Sequence, residues 1–252
     1  MNILKRVDIL GYLVLNEPAV KVANAICDGL ESNQSNSIIF LNPHSIELAD
    51  SDPVFRKAIL NAFGIFCDGV GLSIASLILN RVRIQRVYGF EFFEVLSKTL
   101  SSRQIGRVFF LGADTECLVK LQQKYKLQFP GILSIDFYAP PHRKAFTDRE
   151  IGEMARRISE SSTNILWVGL GSPKQEKVLH QLMETCNIRC GAAIGAVFDF
   201  YSGRIPHSPA WVRHCGLQWA HRLALEPRRL WKRTFVSMPK FLYRIFRNLL
   251  SS

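Results

Sequence analysis

No run of apolar residues in this chain approaches a bilayer span. The longest in its body is LSIASLIL, Leu72 to Leu79, so no segment is expected to cross a membrane. The amino-terminal stretch MNILKRVDILGYLVLNE interrupts its apolar residues with Asp8 and has no small-residue cleavage site, so no signal peptide is expected. The six cysteines, at 27, 67, 117, 186, 190 and 215, lack the spacing of a disulfide framework. Cys186 and Cys190 form a C-x3-C with no second pair, which argues against zinc and for buried thiols in a reducing cytosol. Internal repeats and low-complexity segments are missing as well. Acids are in short supply: 32 Lys and Arg face 21 Asp and Glu, a net charge of +11. That balance favours an anionic partner, whether nucleic acid, a membrane surface or a phosphorylated substrate. With 252 residues, 48% of them apolar, the chain can bury a substantial core and reads as globular.

Short β-rich runs alternate with longer helical patterns. VDILGYLV, SIIFLN, GIFCD, RVFFLG, ILSIDF, NILWVGLG and CGAAIGA read as strands. Between them lie amphipathic segments over 17–31, 53–62, 90–100, 115–127, 148–159 and 173–185. Strands alternating with helices of this length predict an α/β fold, a Rossmann-like and mostly parallel sheet with helices on both faces. After about Gly203 the composition changes. Ten cations, from Arg204 to Arg247, then meet a single acid, Glu226, and are interleaved with aromatic residues. The expected division is an α/β core over 1–203 and a basic, helical appendage over 204–252.

In open α/β sheets ligands bind beyond the carboxyl ends of the strands. The residues there are Asn42, Asp68 with Gly69, Gly112, the stretch Gly169 to Glu176, and Phe198 with Asp199. Glycines such as Gly169 and Gly171 let backbone come close to a phosphate, and a following helix offers unpaired N–H groups to an anion. Pro173 suits the first turn of that helix. Gln175 and Glu176 would then point back to the ligand, the amide towards a hydroxyl or base edge and the carboxylate towards a sugar hydroxyl. The pattern fits a phosphorylated, hydroxyl-rich ligand such as a nucleotide sugar. Plainer roles stand beside these: Gly-x-Gly serves many strand-to-helix turns, and Asp68 could cap a helix. The acids of Asp50-Ser51-Asp52 precede Pro53 and are expected to cap a helix rather than bind metal. His44, His180 and His221 show no ligand spacing and are expected on helix faces or the surface.

These pieces, FLNPHSIELA, FCDGVGLSIA, RVYGFEFFE, VFFLGA, LWVGLGSPKQEKVL, GAVFDFYSG, RIPHSPAWVRHCGLQWAHRL and EPRRLWKR, span nearly the whole chain. Together they resemble the WecG/TagA/CpsF family of bacterial glycosyltransferases. The G-x-G-x-P-K-Q-E block and the late G-L-x-W-x-x-R-L-x-x-E-P-x-R-L block carry most of the likeness. The resemblance implies an inverting, metal-independent enzyme with no cofactor, transferring a sugar from a UDP donor to a polyprenyl-diphosphate-linked glycan. It would act in exopolysaccharide, capsule or cell-wall glycan assembly, as a cytoplasmic protein held at the inner face of the membrane. It also implies that Asp68 is the catalytic base, that Arg86 lies near the same pocket and that Gln175 lines the donor site. Arginines of the carboxyl-terminal block would complete the site. The chain departs from the family pattern at Phe40, where threonine is frequent, and at Glu91, Ile205 and Gln218. These positions bear on which sugar is moved.

Direct displacement at an anomeric carbon needs a base for the acceptor hydroxyl and positive charge where the diphosphate departs. Arg222, Arg229 and Lys232 or Arg233 suit the second task because guanidinium groups grip phosphate oxygens in pairs. From Trp231 to Leu250 apolar residues keep helical spacing with cations between them, a pattern for contact with an anionic membrane surface. Pro239 is expected to break that helix near its middle. Nucleic acid is disfavoured because no recognition motif is present. A dinucleotide-dependent oxidoreductase is disfavoured because no acid follows a complete glycine fingerprint at the expected distance. The sequence leaves self-association into a homo-oligomer open.

Overall fold

The computed structural model describes residues 4–31, 34–206, 220, 223–224 and 227–250. The first expected strand is instead a hairpin, β1 (Arg6–Ile9) and β2 (Tyr12–Leu15), paired antiparallel. Leu10 and Gly11 both take positive φ, 56° and 86°, and the Asp8 carboxylate accepts the Gly11 N–H. Two left-handed residues in succession make the tight turn whose twist suits a hairpin.

The remaining strands are β3 (Asn36–Leu41), β4 (Gly64–Cys67), β5 (Arg107–Gly112), β6 (Ser134–Tyr138), β7 (Ile165–Gly169) and β8 (Cys190–Ala193). They join the hairpin in one sheet of order β1-β2-β4-β3-β8-β7-β5-β6, parallel everywhere except between β1 and β2. The expected Rossmann-like architecture is therefore observed. Helices α1 (Ala19–Asp28), α5 (Gly89–Ser102), α6 (Thr115–Gln128) and α9 (Val197–Ser202) cover one face. Beneath them Trp167, Phe92, Phe93, Phe110 and Tyr125 interlock ring to edge. The other face is covered by α2 (Pro43–Ser51), α3 (Pro53–Leu60), α4 (Val70–Asn80), α7 (Asp148–Glu160) and α8 (Lys174–Thr185).

The carboxyl-terminal residues continue this second face. A short helix α10 (Pro227–Lys232) and a π-helical turn (Arg233–Ser237) lead into α11 (Met238–Leu250). Pro239 stands at the second position of α11, directly after the π-helical turn, so the regular α-helical pattern of the 227–250 run is interrupted next to the proline expected to break it. Phe241 and Ile245 of α11 are buried with Leu41, Ile46, Leu72 and Ala75. Arg244 pairs with Asp50 at 2.5 Å, and His44 Nδ1 lies 2.8 Å from the Ser237 hydroxyl. Removing Phe241 and Ile245 from water contributes several kcal/mol to holding this helix down, far more than the half-exposed ion pair. No helix among the described residues is long and apolar enough to cross a membrane.

Candidate active site

At the carboxyl ends of the central strands lies a cleft of about 550 Å³. Strand β3 delivers Phe40 and Asn42 to it, and β4 delivers Asp68 and Gly69. Gly171, Gln175 and Glu176 arrive from the turn after β7, and Gly195 from the end of β8. The cleft thus sits where a chain that moves outward from β3 to β4 meets the β7–β8 half of the sheet, the position at which open α/β sheets part to admit a ligand. Thr234, Met238 and Leu242 form a further wall, so the carboxyl-terminal helices complete the cavity as well as covering the sheet.

Helices α2, α4, α5, α8 and α9 all start at this cavity or in the turn beside it. In α2 the Asn42 side chain accepts the Ser45 N–H at 3.2 Å, which ties that amide up as a cap. The residues preceding α4, α5, α8 and α9 make no side-chain cap, although in α8 the Gln175 N–H already donates to the Gly171 carbonyl at 3.0 Å. By contrast, α3, α6 and α7 are capped by Asp52, Asp114 and Thr147. Several helix amino-termini without side-chain caps around one cavity offer their dipoles to an anion. Among the described residues lining it there is no Lys or Arg, and its acids are Asp68 and Glu176.

Asp68 follows β4 directly, and its backbone N–H donates to the Leu41 carbonyl at 2.8 Å, which fixes its place beside β3. The cap position of α4 belongs to Gly69, with φ 100°, and not to Asp68. Arg86 forms a parallel bridge with Cys67, one residue before Asp68, without itself lining the cavity. Burial pushes the Tyr88 hydroxyl up, with Arg86 opposing and Asp68 reinforcing the shift, so these three side chains share one electrostatic neighbourhood. The Cys67 thiol is pushed up to about 12, by burial first and by the Asp68 charge second, which removes it as a nucleophile.

The opening turn of α8 is built around the side chain of Gln175. The Gly171 N–H donates to Gln175 Oε1 at 3.1 Å, and Gln175 Nε2 donates to Glu176 Oε1 at 3.0 Å. This fixes which end of the amide is which and, among the described residues, leaves one N–H of Gln175 for a ligand oxygen. Both side chains are buried, and the second oxygen of Glu176, Oε2, is buried with no hydrogen-bond partner of good geometry among the described residues. Burial pushes the Glu176 carboxyl up to about 7, against the smaller opposing pull of the Gln175 amide and the nearby Ser172 hydroxyl. Pro173 precedes α8 as its boundary residue instead of occupying the first turn, and does not line the cavity.

Gly112 and Gly169 are not cavity residues either. A Cβ on Gly169 would stand 2.5 Å from the Phe198 ring, and one on Gly112 would meet the Gly169 carbonyl. They are glycines because β5, β7 and α9 pack too closely there for a side chain. Asp199 pairs with Arg204, which also holds Asp114, again outside the cavity. As the sequence suggested, Asp52 caps α3, and it also pairs with Lys177 of α8. Arg222 lies outside the described residues. Arg229 and Lys232 belong to α10 and Arg233 to the π-helical turn, and their side chains lie outside the described residues too.

Several lining residues went unread in the sequence. His44, expected on a helix face or the surface, stands in the first turn of α2, lines the cavity and is held by Ser237; Tyr88, Phe90, Gly195 and Phe200 line it as well. His44 lies two residues beyond Asn42, and Gly195 two beyond the end of β8. Carrying the strand-end rule two residues further reaches His44. Gly195 instead falls within the run CGAAIGA, expected to be strand throughout, whereas β8 ends at Ala193, so the rule lands too far along, at Phe198.

The whole cavity is thus made from strand ends, uncapped helix starts and the carboxyl-terminal arm, and the same span of chain, residues 7–252, is matched by the model of a glycosyl transferase family. The protein is a glycosyltransferase. It belongs to the WecG/TagA/CpsF family. An N-acetylglucosaminyldiphosphoundecaprenol N-acetyl-beta-D-mannosaminyltransferase of Bacillus spizizenii is 27% identical over 219 residues, covering 87% of this chain and 82% of that protein. The protein of the same name from Bacillus subtilis is 27% identical over 201 residues, covering 80% of this chain and 75% of that one. Its namesake in Staphylococcus aureus is 25% identical over 245 residues, covering 95% of this chain and 92% of that one.

Proposed function

We propose that this enzyme moves a sugar from a UDP donor onto a glycan linked to a polyprenyl diphosphate, inverting the anomeric centre, in extracellular polysaccharide, capsule or cell-wall glycan assembly. The relatives' names specify transfer to an N-acetylglucosaminyl-diphosphoundecaprenol, a lipid-linked acceptor of this type. The observation that carries the reading is the shared cavity of Asp68, Gln175 and Glu176, ringed by uncapped helix starts and walled by the carboxyl-terminal arm.

In the proposed mechanism the donor diphosphate lies across the amino-termini of α4, α5 and α8, with Gln175 donating its remaining N–H to a donor oxygen. Asp68 takes the proton of the acceptor hydroxyl as that oxygen attacks the anomeric carbon from the face opposite UDP. The new glycosidic bond forms as the bond to the diphosphate breaks, and UDP leaves with the bonding pair. Negative charge grows on the departing phosphate where the described lining residues supply backbone dipoles and polar side chains such as Gln175 but no Lys or Arg. The basic residues Arg222, Arg229, Lys232 and Arg233 are assigned to complete that charge in place of a metal ion, with Arg86 supporting Asp68 from behind. The exposed apolar and cationic side of α11 is assigned to an anionic leaflet, which makes the enzyme a peripheral protein of the inner membrane face.

The test is a turnover screen of UDP-hexoses, UDP-N-acetylhexosamines and UDP-uronic acids with a defined lipid-linked acceptor, run with and without EDTA. One donor giving a product of inverted configuration, insensitive to EDTA, is the expected result. Stabilisation by NAD with no UDP-sugar turnover would overturn the reading.

A further inference from the structure

Helix α4 carries apolar residues on every side, with Ser73, Ser76 and Asn80 its polar ones, yet only part of its surface is covered. Leu72, Ala75 and Ser76 face the core, while Ile74, Leu77 and Ile78 point the other way and are 44%, 55% and 42% exposed. A helix apolar on every side belongs in a core or in lipid, and this one lies at the surface. Beside it runs α11, built the same way. Its Phe241 and Ile245 are buried, while Leu242, Phe246 and Leu249 form an outward stripe, with Phe246 60% exposed. The two stripes meet at the active site, because Ile74 and Leu242 both line the cavity. Exposed cations flank them: Arg81 and Arg83 just beyond α4, and Lys240 on α11.

We propose that α4 and α11 form a single membrane-docking plane, in which a helix of the catalytic core enters an anionic leaflet alongside the carboxyl-terminal helix. The inference rests on the lipid-linked acceptor proposed above and adds an orientation to it. With both helices in the headgroup region, the cavity mouth between them opens at the depth of a lipid diphosphate, so the acceptor reaches Asp68 without leaving the bilayer. Charge decides between lipid and a second copy of the chain as the occupant. A twofold contact through this face would set the exposed cations Arg81, Arg83 and Lys240 against the same cationic patch of the other copy in a molecule of net charge +11, whereas anionic headgroups attract them.

The test uses the full chain and the double substitution Leu77→Ser/Ile78→Ser, since neither residue lines the cavity. Binding is measured by co-sedimentation with vesicles of phosphatidylcholine alone and of phosphatidylcholine mixed with phosphatidylglycerol. The native chain should bind the mixed vesicles far better, and the variant should lose about tenfold or more of that affinity with its thermal midpoint unchanged. A variant that binds like the native chain would overturn the proposal. So would a native dimer that the substitutions convert to monomer with vesicle affinity intact. Transfer to a short-chain, water-soluble acceptor reports on the reaction separately. If no such transfer occurs while the variant still loses vesicle binding, the docking plane stands and the proposed reaction falls.

Discussion

Replacing Glu176 by glutamine should stabilise the folded chain at alkaline pH and leave its stability nearly unchanged in acid. Glu176 is 3% exposed, so solvent screening does not dilute the effect of burial on its charge. Burial pushes its carboxyl from 4.5 up to about 7, a difference of roughly 2.5 pH units. At about 1.4 kcal/mol per unit, ionising it inside the fold costs about 3 kcal/mol relative to the unfolded chain. The sign is opposite to that of a salt-bridged carboxylate. Between 4.5 and about 7 the folded chain keeps a proton that the unfolded chain gives up, so stability falls as pH rises through that window and stays low above it. Glutamine has nothing to ionise, matches the shape, and can still accept from Gln175 Nε2. The stability gap should be near zero at about pH 4 and level off near 3 kcal/mol above about pH 8, or roughly 6–12 °C in melting temperature for a chain this size. Denaturant unfolding of both proteins at several pH values, followed by tryptophan fluorescence, measures the gap directly. A gap independent of pH would refute the claim that burial holds this acid neutral.

Gly169→Ala should destabilise the fold by about 1–3 kcal/mol, because the new methyl meets the Phe198 ring; denaturant titration reads the loss. Phe241→Ala should cost about 3–5 kcal/mol and loosen the wall bearing Met238 and Leu242, seen as weaker donor binding together with faster proteolysis of the carboxyl-terminal arm. Gln175→Ala should weaken UDP-sugar binding about tenfold, the worth of one well-placed hydrogen bond, in calorimetric titration. Gly171→Val should do worse, since a β-branched residue is strained at φ 80° in the turn that orients Gln175.

The strand-to-helix alternation was legible because each buried strand is a short, continuous apolar run and each covering helix carries its own apolar stripe. Helix α4 escaped notice for the opposite reason: LSIASLIL carries apolar residues on all faces, so no period distinguishes a helix from a strand or a buried run. The β1–β2 hairpin was hidden because Leu10 stands where asparagine or glycine would announce a tight turn. For the site, the strand-end rule reached Asn42, Asp68, Gly69, Gly171, Gln175 and Glu176. It also drew in Gly112, because strand order is absent from sequence order. Strand β5 lies beyond β7, one strand too far from the β3–β8 junction to reach the cavity. The contribution of α11 to the cavity wall depends on how a distant segment docks, and the likeness to a known family suggested it where periodicity alone could not.

The role given to Asp68 is tested most directly by a single-turnover measurement. Enzyme preloaded with its UDP-sugar is mixed with lipid-linked acceptor, and product is followed for the native chain and for Asp68→Asn. The account predicts transfer slowed by about 100-fold or more in the variant, with UDP affinity and fold unchanged, because only the proton acceptor has been removed. A folded Asp68→Asn enzyme that transfers sugar at a near-native rate would contradict it.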